Sequence, residues 1–136
     1  MNQWVIPAIG SFLLWGLWSF LPKIITRYIS PQSVVFYEVI GGIIFTIIML
    51  SAFNFRPDPH LRGAILSVVA GIIGFAGSLC FFYAVSYGPI SLISVFSALY
   101  PIIAILLATL FLGETLTLKQ IVGIVLGLIS ITLIVS

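Results

Sequence analysis

Glu38 stands inside a long apolar run, and a carboxylate in that setting is the clearest chemical signal in the chain. Taking Pro31 as the first helical residue, Glu38 lies about 10 Å along a helix that rises about 1.5 Å per residue. That depth is inside a bilayer core but short of its midplane. An ionisable group there is costly, and by default it marks a pathway, a proton relay or a paired charge. Gly41 and Gly42, three and four positions on, leave the same face bare for close helix contact or for a cavity. Three readings stand side by side. Glu38 alternately holds a proton and a cationic or polar substrate; or it forms a structural ion pair with Lys23 or Arg27, which belong to the same side of the membrane; or its carboxylate snorkels to the interface.

Lys23 follows Pro22 near the far end of the first apolar run. A proline inside a helix removes a backbone hydrogen bond and can break or kink the element, turning Lys23 toward a cavity. The alternative is an interfacial lysine snorkelling to headgroups. Trp15 and Trp18, three apart, fall near one face in the body of that run, whereas Trp4, Tyr28 and Phe53 or Phe55 fall near span ends, where aromatic belts are expected. Tyr37, Tyr83 and Tyr100 are also internal, and a phenol in lipid needs a hydrogen-bond partner. A cavity lined by indole and phenol rings suits flat or cationic organic molecules; the alternative for any one ring is lipid contact or packing. Pro101 is a second helix-break candidate. Ser91, Ser94 and Ser97 recur every three residues, either hydrating a pathway, for which Ser97 is the candidate, or bonding back to their own helix carbonyls.

These side chains need elements to hold them. The chain is 62% hydrophobic and 6% charged, with a mean hydropathy of +1.34, whereas soluble domains carry roughly a quarter charged residues. Its solvent is lipid. A helix needs about 20 apolar residues to cross a core about 30 Å thick, and five runs qualify: 4–21, continuing past Pro22 as far as 29, then 31–53, 60–87, 89–112 and 118–135. Continuous apolarity without period-two alternation reads as helices and excludes a barrel. Ser30-Pro31 and Asp58-Pro59 read as N-cap followed by a first-turn proline, Gly88-Pro89 as an end and a start with almost no loop, Gly113 as a helix end, and Thr117 to Gln120 as a capping box. The third run is longer than the bilayer requires and is expected to tilt or protrude. The opening MNQWVIPAIG lacks a basic n-region and a cleavage site, so the first run is expected to persist as a span. The expected fold is thus an all-α integral membrane protein, one unit of five transmembrane helices.

Five crossings put the termini on opposite sides, with Arg56, Arg62 and Lys119 on the side of the N-terminus and Lys23 and Arg27 on the other. A bias of three against two selects an orientation only weakly, which leaves either a cytoplasmic N-terminus or insertion both ways round. An odd-span unit paired with an inverted copy of itself makes the inverted repeat found in many transporter folds. Gly123 and Gly127, with Ser130 on the same face, form a small-residue stripe in the last span; it serves either a dimer contact or packing within one chain. Gly71, Gly74 and Gly77 do the same in the third span. Glu114 is placed as structural, ahead of a helix N-terminus and within reach of Arg56, Arg62 or Lys119. His60 is expected to be a lone exposed histidine without a role.

Trp15-Gly16 followed by Lys23, then Ser30-Pro31, resembles the first-helix signature of EamA-like domains in the drug/metabolite transporter superfamily. Tyr83-Ala84 with Tyr87, Tyr100-Pro101, and Leu112-Gly113-Glu114 with Leu116-Thr117 and Gln120 extend the resemblance over nearly the whole chain. Most members carry two such five-helix units in tandem, and this sequence is similar to the half-size bacterial and archaeal group. The resemblance implies ten helices around a central pathway, contributed by two chains in an antiparallel homodimer or a paralogous heterodimer. It further implies export or exchange of small organic metabolites or drugs by alternating access, at the cell (inner) membrane. One departure stands out: EamA-like domains often place a basic residue in the second helix, and this chain has Glu38 there.

Other classes find little in the sequence. Net charge of +2 is spread thinly, without a basic run for nucleic acid, and Cys80 has no internal disulfide partner. No metal-spaced His/Cys/Asp set, phosphate-binding glycine loop or nucleophile–base pair is present, so neither enzyme chemistry nor a cofactor or metal is expected. Beside the proton-coupled transporter stand a flippase or flippase subunit for a lipid-linked solute, and a membrane assembly or regulatory protein without transport of its own.

Overall fold

A computed structural model describes residues 4–52 and 55–135. The expected end of the second span at Phe53 therefore lies outside the described residues, as do residues 1–3 of the opening. Six α-helices follow one another: α1 Val5–Ile25, α2 Pro31–Ala52, α3 Leu61–Tyr87, α4 Ile90–Ser97, α5 Tyr100–Phe111 and α6 Leu118–Val135. Among the described residues there is no strand. Four stretches have the length and hydropathy of a membrane crossing, namely α1, α2, α3 and the 22 residues Ile90–Phe111 that α4 and α5 make together. α6, with 18 residues, reaches about 27 Å at the helical rise, close to the thickness of a hydrocarbon core. The 27 residues of α3 reach about 40 Å and exceed it.

Local chemistry sets the boundaries. Ser30 caps α2, its Oγ accepting the Ser33 N–H at 3.4 Å, and Pro31 costs nothing at a first-turn position where no helical N–H is needed. Thr117 and Gln120 form the reciprocal box ahead of α6: Thr117 N–H donates to Gln120 Oε1 at 2.8 Å, and Gln120 N–H to Thr117 Oγ1 at 3.4 Å. Gly113 takes the left-handed backbone, φ +68°, a conformation open to glycine without a Cβ clash. Leu112 and Glu114 N–H both turn back to the Ala108 carbonyl there. The third helix corrects an expectation. Its cap is His60, not Asp58: His60 Nδ1 accepts the Gly63 N–H at 3.1 Å, and its carbonyl takes the Ala64 N–H at 2.9 Å. An imidazole nitrogen satisfies an orphan first-turn N–H as a hydroxyl would, and the helix starts two residues later than Pro59.

The two prolines behave differently. α1 runs through Pro22 to Ile25, and the Pro22 carbonyl accepts the Thr26 N–H at 2.9 Å, so no break falls at Pro22. The interruption in the fourth span falls at Ala98–Leu99, just ahead of Pro101. Pro101 offers no N–H to the Ser97 carbonyl, and the chain tightens there into shorter bonds, Leu99 N–H to Phe96 O and Ile102 N–H to Leu99 O. The backbone stays in the right-handed helical region throughout.

Two compact units form, one ending at Tyr87 and one starting at Gly88. In the first, α3 packs against both α1 and α2; in the second, α4 packs against α6. The buried residues among those described are Pro22, Val34, Phe82 and Val85, and all belong to the first unit, where α1 ends, α2 begins and α3 ends. Elsewhere long aliphatic and aromatic side chains are exposed, as they must be where lipid or another protein surface is the solvent.

Phe82, 1% exposed, is expected to lose about 3 kcal/mol of stability on truncation to Ala, against less than about 0.5 kcal/mol for the exposed Phe111, read from unfolding of the detergent-solubilised monomer. The same assay gives a loss of about 1 kcal/mol for His60→Ala if the imidazole caps α3 as other N-cap residues do.

Candidate functional site

α1 places Trp18, half-buried, with its indole against two rings of α3. Phe81 stacks on it at 5.7 Å between centroids and 24° between planes, and Phe82 lies at 5.9 Å, tilted. This clamp fixes where the indole N–H points. It donates to Glu38 Oε1 on α2 at 2.6 Å. Three helices thus converge on one carboxylate.

Its second oxygen is different. Glu38 Oε2 is buried and has no hydrogen-bond partner among the described residues. The expected ion pair with Lys23 or Arg27 is not what holds the carboxylate. Lys23 Nζ donates to the Val85 carbonyl at 2.7 Å, in the last turn of α3, where carbonyls lack helical partners and carry the negative end of the helix dipole. A cation at a helix C-terminus is well placed without any carboxylate. Lys23 is likewise not a snorkelling surface lysine: it ties α1 to α3. Arg27 is exposed beyond the end of α1.

Beside Glu38 an open groove of about 660 Å³ runs between α2 and α3, lined by Glu38, Gly41, Gly42 and Phe45 on one wall and by Gly71, Gly74, Phe75 and Ser78 on the other. A Cβ added at any of these four glycines would meet nothing within 4 Å. Their smallness therefore serves no contact among the described residues of this unit. It leaves room. At the opposite end of the unit Gln32 Nε2 donates to the Tyr83 hydroxyl, so the α2–α3 pair is pinned where α2 begins and open farther along.

Trp15 is 60% exposed, although three residues from Trp18. Tyr37 is exposed and packs edge-on against Phe36, not toward the groove. Ser97 and Tyr100 sit in the second unit, on either side of the α4–α5 interruption. Unlike Ser11, Ser19, Ser51 and Ser86, which bond to their own helix carbonyls, Ser97 makes no side-chain hydrogen bond among the described residues. Gly123, Gly127 and Ser130 are exposed, and a Cβ on either glycine would meet nothing within 4 Å. Glu114 forms no ion pair among the described residues. Gln32, Phe45, Phe75, Phe81 and Ser78 went unremarked in the sequence because phenyl, amide and single hydroxyl side chains at ordinary helix positions carry no signal of their own.

Four stretches of membrane-crossing length and hydropathy define a class, the polytopic membrane proteins. The profile of the EamA-like transporter family matches residues 2–136, and the chain belongs to that family. It is 35% identical over 135 residues to an uncharacterized protein of Methanocaldococcus jannaschii, covering 98% of this chain and 96% of that one. It is 29% and 28% identical over 142 residues to an uncharacterized transporter in each of two Helicobacter pylori strains. There the match covers 98% of this chain but 47% of the relatives, so the chain spans about half their length. No solved structure matches it. The protein is an integral, multi-pass member of a family of membrane transporters.

Replacing Lys23 with Met is expected to cost about 1.5 kcal/mol of stability in detergent, the scale for a hydrogen bond to a charged group. A headgroup-seeking lysine would leave stability unchanged.

Proposed function

We propose that the protein is a secondary transporter of small organic metabolites or drugs, working by alternating access, coupled to protons at Glu38 and completed by a second, inverted copy of the chain in the cell (inner) membrane. The observation that carries this reading is the state of the Glu38 carboxylate. One oxygen is held by Trp18 and the other is buried without a partner, beside an open glycine-walled groove. A desolvated charge without compensation is expensive, and a proton or a cationic group on Oε2 supplies the compensation. Since one oxygen takes either, occupancy by the proton and by the substrate exclude each other, which is the requirement for exchange.

The groove favours a substrate with a cationic or polar head and a flat organic body. Phe45 and Phe75 supply ring faces for such a body, and the bare glycines admit it close to the helix backbones. In the present conformation Oε2 is covered, so the substrate reaches it only after a helix has moved, as alternating access demands.

The inverted copy is supported from two directions. The Helicobacter relatives, named as transporters, are about twice the length of the matched segment, whereas the archaeal relative is of this chain's size. In addition, a Cβ added at Gly41, Gly42, Gly71, Gly74, Gly77, Gly123 or Gly127 would meet nothing within 4 Å among the described residues, which favours close backbone packing of these faces with another copy.

Reconstituted protein is expected to drive uptake or release of organic amines when a pH gradient is applied across the vesicle, and Glu38→Gln is expected to abolish the pH-driven component. Coupling that survives in the Gln variant removes Glu38 from the mechanism. Tags on both termini, mapped from each side of the membrane, are expected to be found on both sides; a single orientation with no complementary half contradicts the inverted pair.

A further inference from the structure

We infer that Trp18 is the positioning residue that turns occupancy of Glu38 into movement of α2, an inference that rests on reading Glu38 as the coupling group. The bond between them is short, 2.6 Å from indole nitrogen to Oε1. Charge-assisted hydrogen bonds of this kind are roughly twice as strong as neutral ones, and a site shielded from water strengthens them further. When Glu38 takes up a proton, it becomes a neutral acid and Oε1 becomes a weaker acceptor. No covalent bond besides the new O–H changes, and the indole keeps its own proton. What weakens is the tie between α1 and α2.

The surrounding contacts decide which helix is released. α1 stays with α3 whatever the state of Glu38. The Trp18 ring is held by Phe81 and Phe82, and Lys23 is bonded to the Val85 carbonyl. α2 is bonded to α3 at its beginning, where Val34 is buried and Gln32 meets Tyr83. Past that point α2 and α3 line the groove, with Gly41 and Gly42 on one wall and Gly71 and Gly74 on the other, and even an added Cβ on any of these would meet nothing within 4 Å. Loss of the Trp18 bond therefore frees α2 to swing about its pinned start. That swing resets the width of the groove and uncovers Oε2. Protonation at one atom becomes a change in the shape of the substrate's own site.

The titratable or charged groups on the three helices, besides Glu38, are Lys23 on α1, Tyr37 on α2, and Arg62, Cys80, Tyr83 and Tyr87 on α3. Glu38→Gln leaves all of them in place and is the control for each.

Protein carrying ¹⁵N in its tryptophans, in lipid bicelles, shows an indole resonance for each of the 3 tryptophans, with that of Trp18 assigned by its loss in Trp18→Phe. On acidification the Trp18 indole proton is expected to move upfield as its bond to the carboxylate weakens, while Trp4 and Trp15 stay in place. In Glu38→Gln that movement is lost. A Trp18 resonance that ignores pH, or that moves equally in the Gln variant, overturns the inference. If proton-driven uptake persists in vesicles under either of those outcomes, the coupling role of Glu38 survives and only the part given to Trp18 is lost. If uptake has no pH-driven component, both fall. Because the readout is taken on folded protein with Trp18 present, poor folding of Trp18→Phe affects only the assignment, which the remaining two tryptophans also provide by subtraction.

Discussion

A single hydrogen bond, from the Trp18 indole to the Glu38 carboxylate, is the point on which the first unit of this protein turns. Lipid gives helices no hydrophobic reason to associate, so contact depends on packing and on polar bonds that cannot be traded for water. In this unit those bonds are few and all differ in kind. An ammonium finishes a helix end, an amide meets a phenol, and an indole holds one oxygen of an acid. The first two are indifferent to a proton. The third ends on a carboxylate, and among the described residues it is the side-chain hydrogen bond that joins α1 to α2.

The rest of the arrangement follows from that asymmetry. Four buried residues gather where α1 ends, α2 begins and α3 ends, giving a closed end. Beyond them the α2 and α3 walls carry Gly41, Gly42, Gly71 and Gly74, and the helices stand apart. A structure closed at one end, open along its side and bridged between the two by a bond to a carboxylate has the parts that the proposed exchange at Glu38 requires. It is poorly suited to pure scaffolding, where an unpartnered buried oxygen would only cost stability.

Much of the architecture was legible in the residues. Helix limits followed from hydropathy and from caps that act within a few residues, such as Ser30 and the Thr117–Gln120 box, because those interactions are written locally. Glu38 stood out for the same reason, a charge against an apolar background. What sequence order does not display is which side chain crosses to which helix. Trp15 and Trp18 had equal standing until the α3 rings selected one of them. Lys23 looked like a partner for Glu38, since pairing by charge considers side chains alone, whereas its actual acceptor is a backbone carbonyl that α3 leaves unsatisfied at its end. His60 looked idle because histidine is an uncommon cap, and Pro22 looked like a break although the helix passes through it.

The central claim is that Glu38 exchanges a proton while embedded in the membrane. Infrared difference spectroscopy of the protein in lipid, stepped from neutral to acidic buffer, tests it most directly, because the chain has only 3 acidic side chains and the other two, Asp58 and Glu114, lie between helices. A protonated-carboxyl band at a frequency typical of an apolar setting, growing at the expense of a carboxylate band and absent from Glu38→Gln, is the predicted result. A spectrum that is the same in the Gln variant, or a Glu38 signal that stays in one form across the range, contradicts the account.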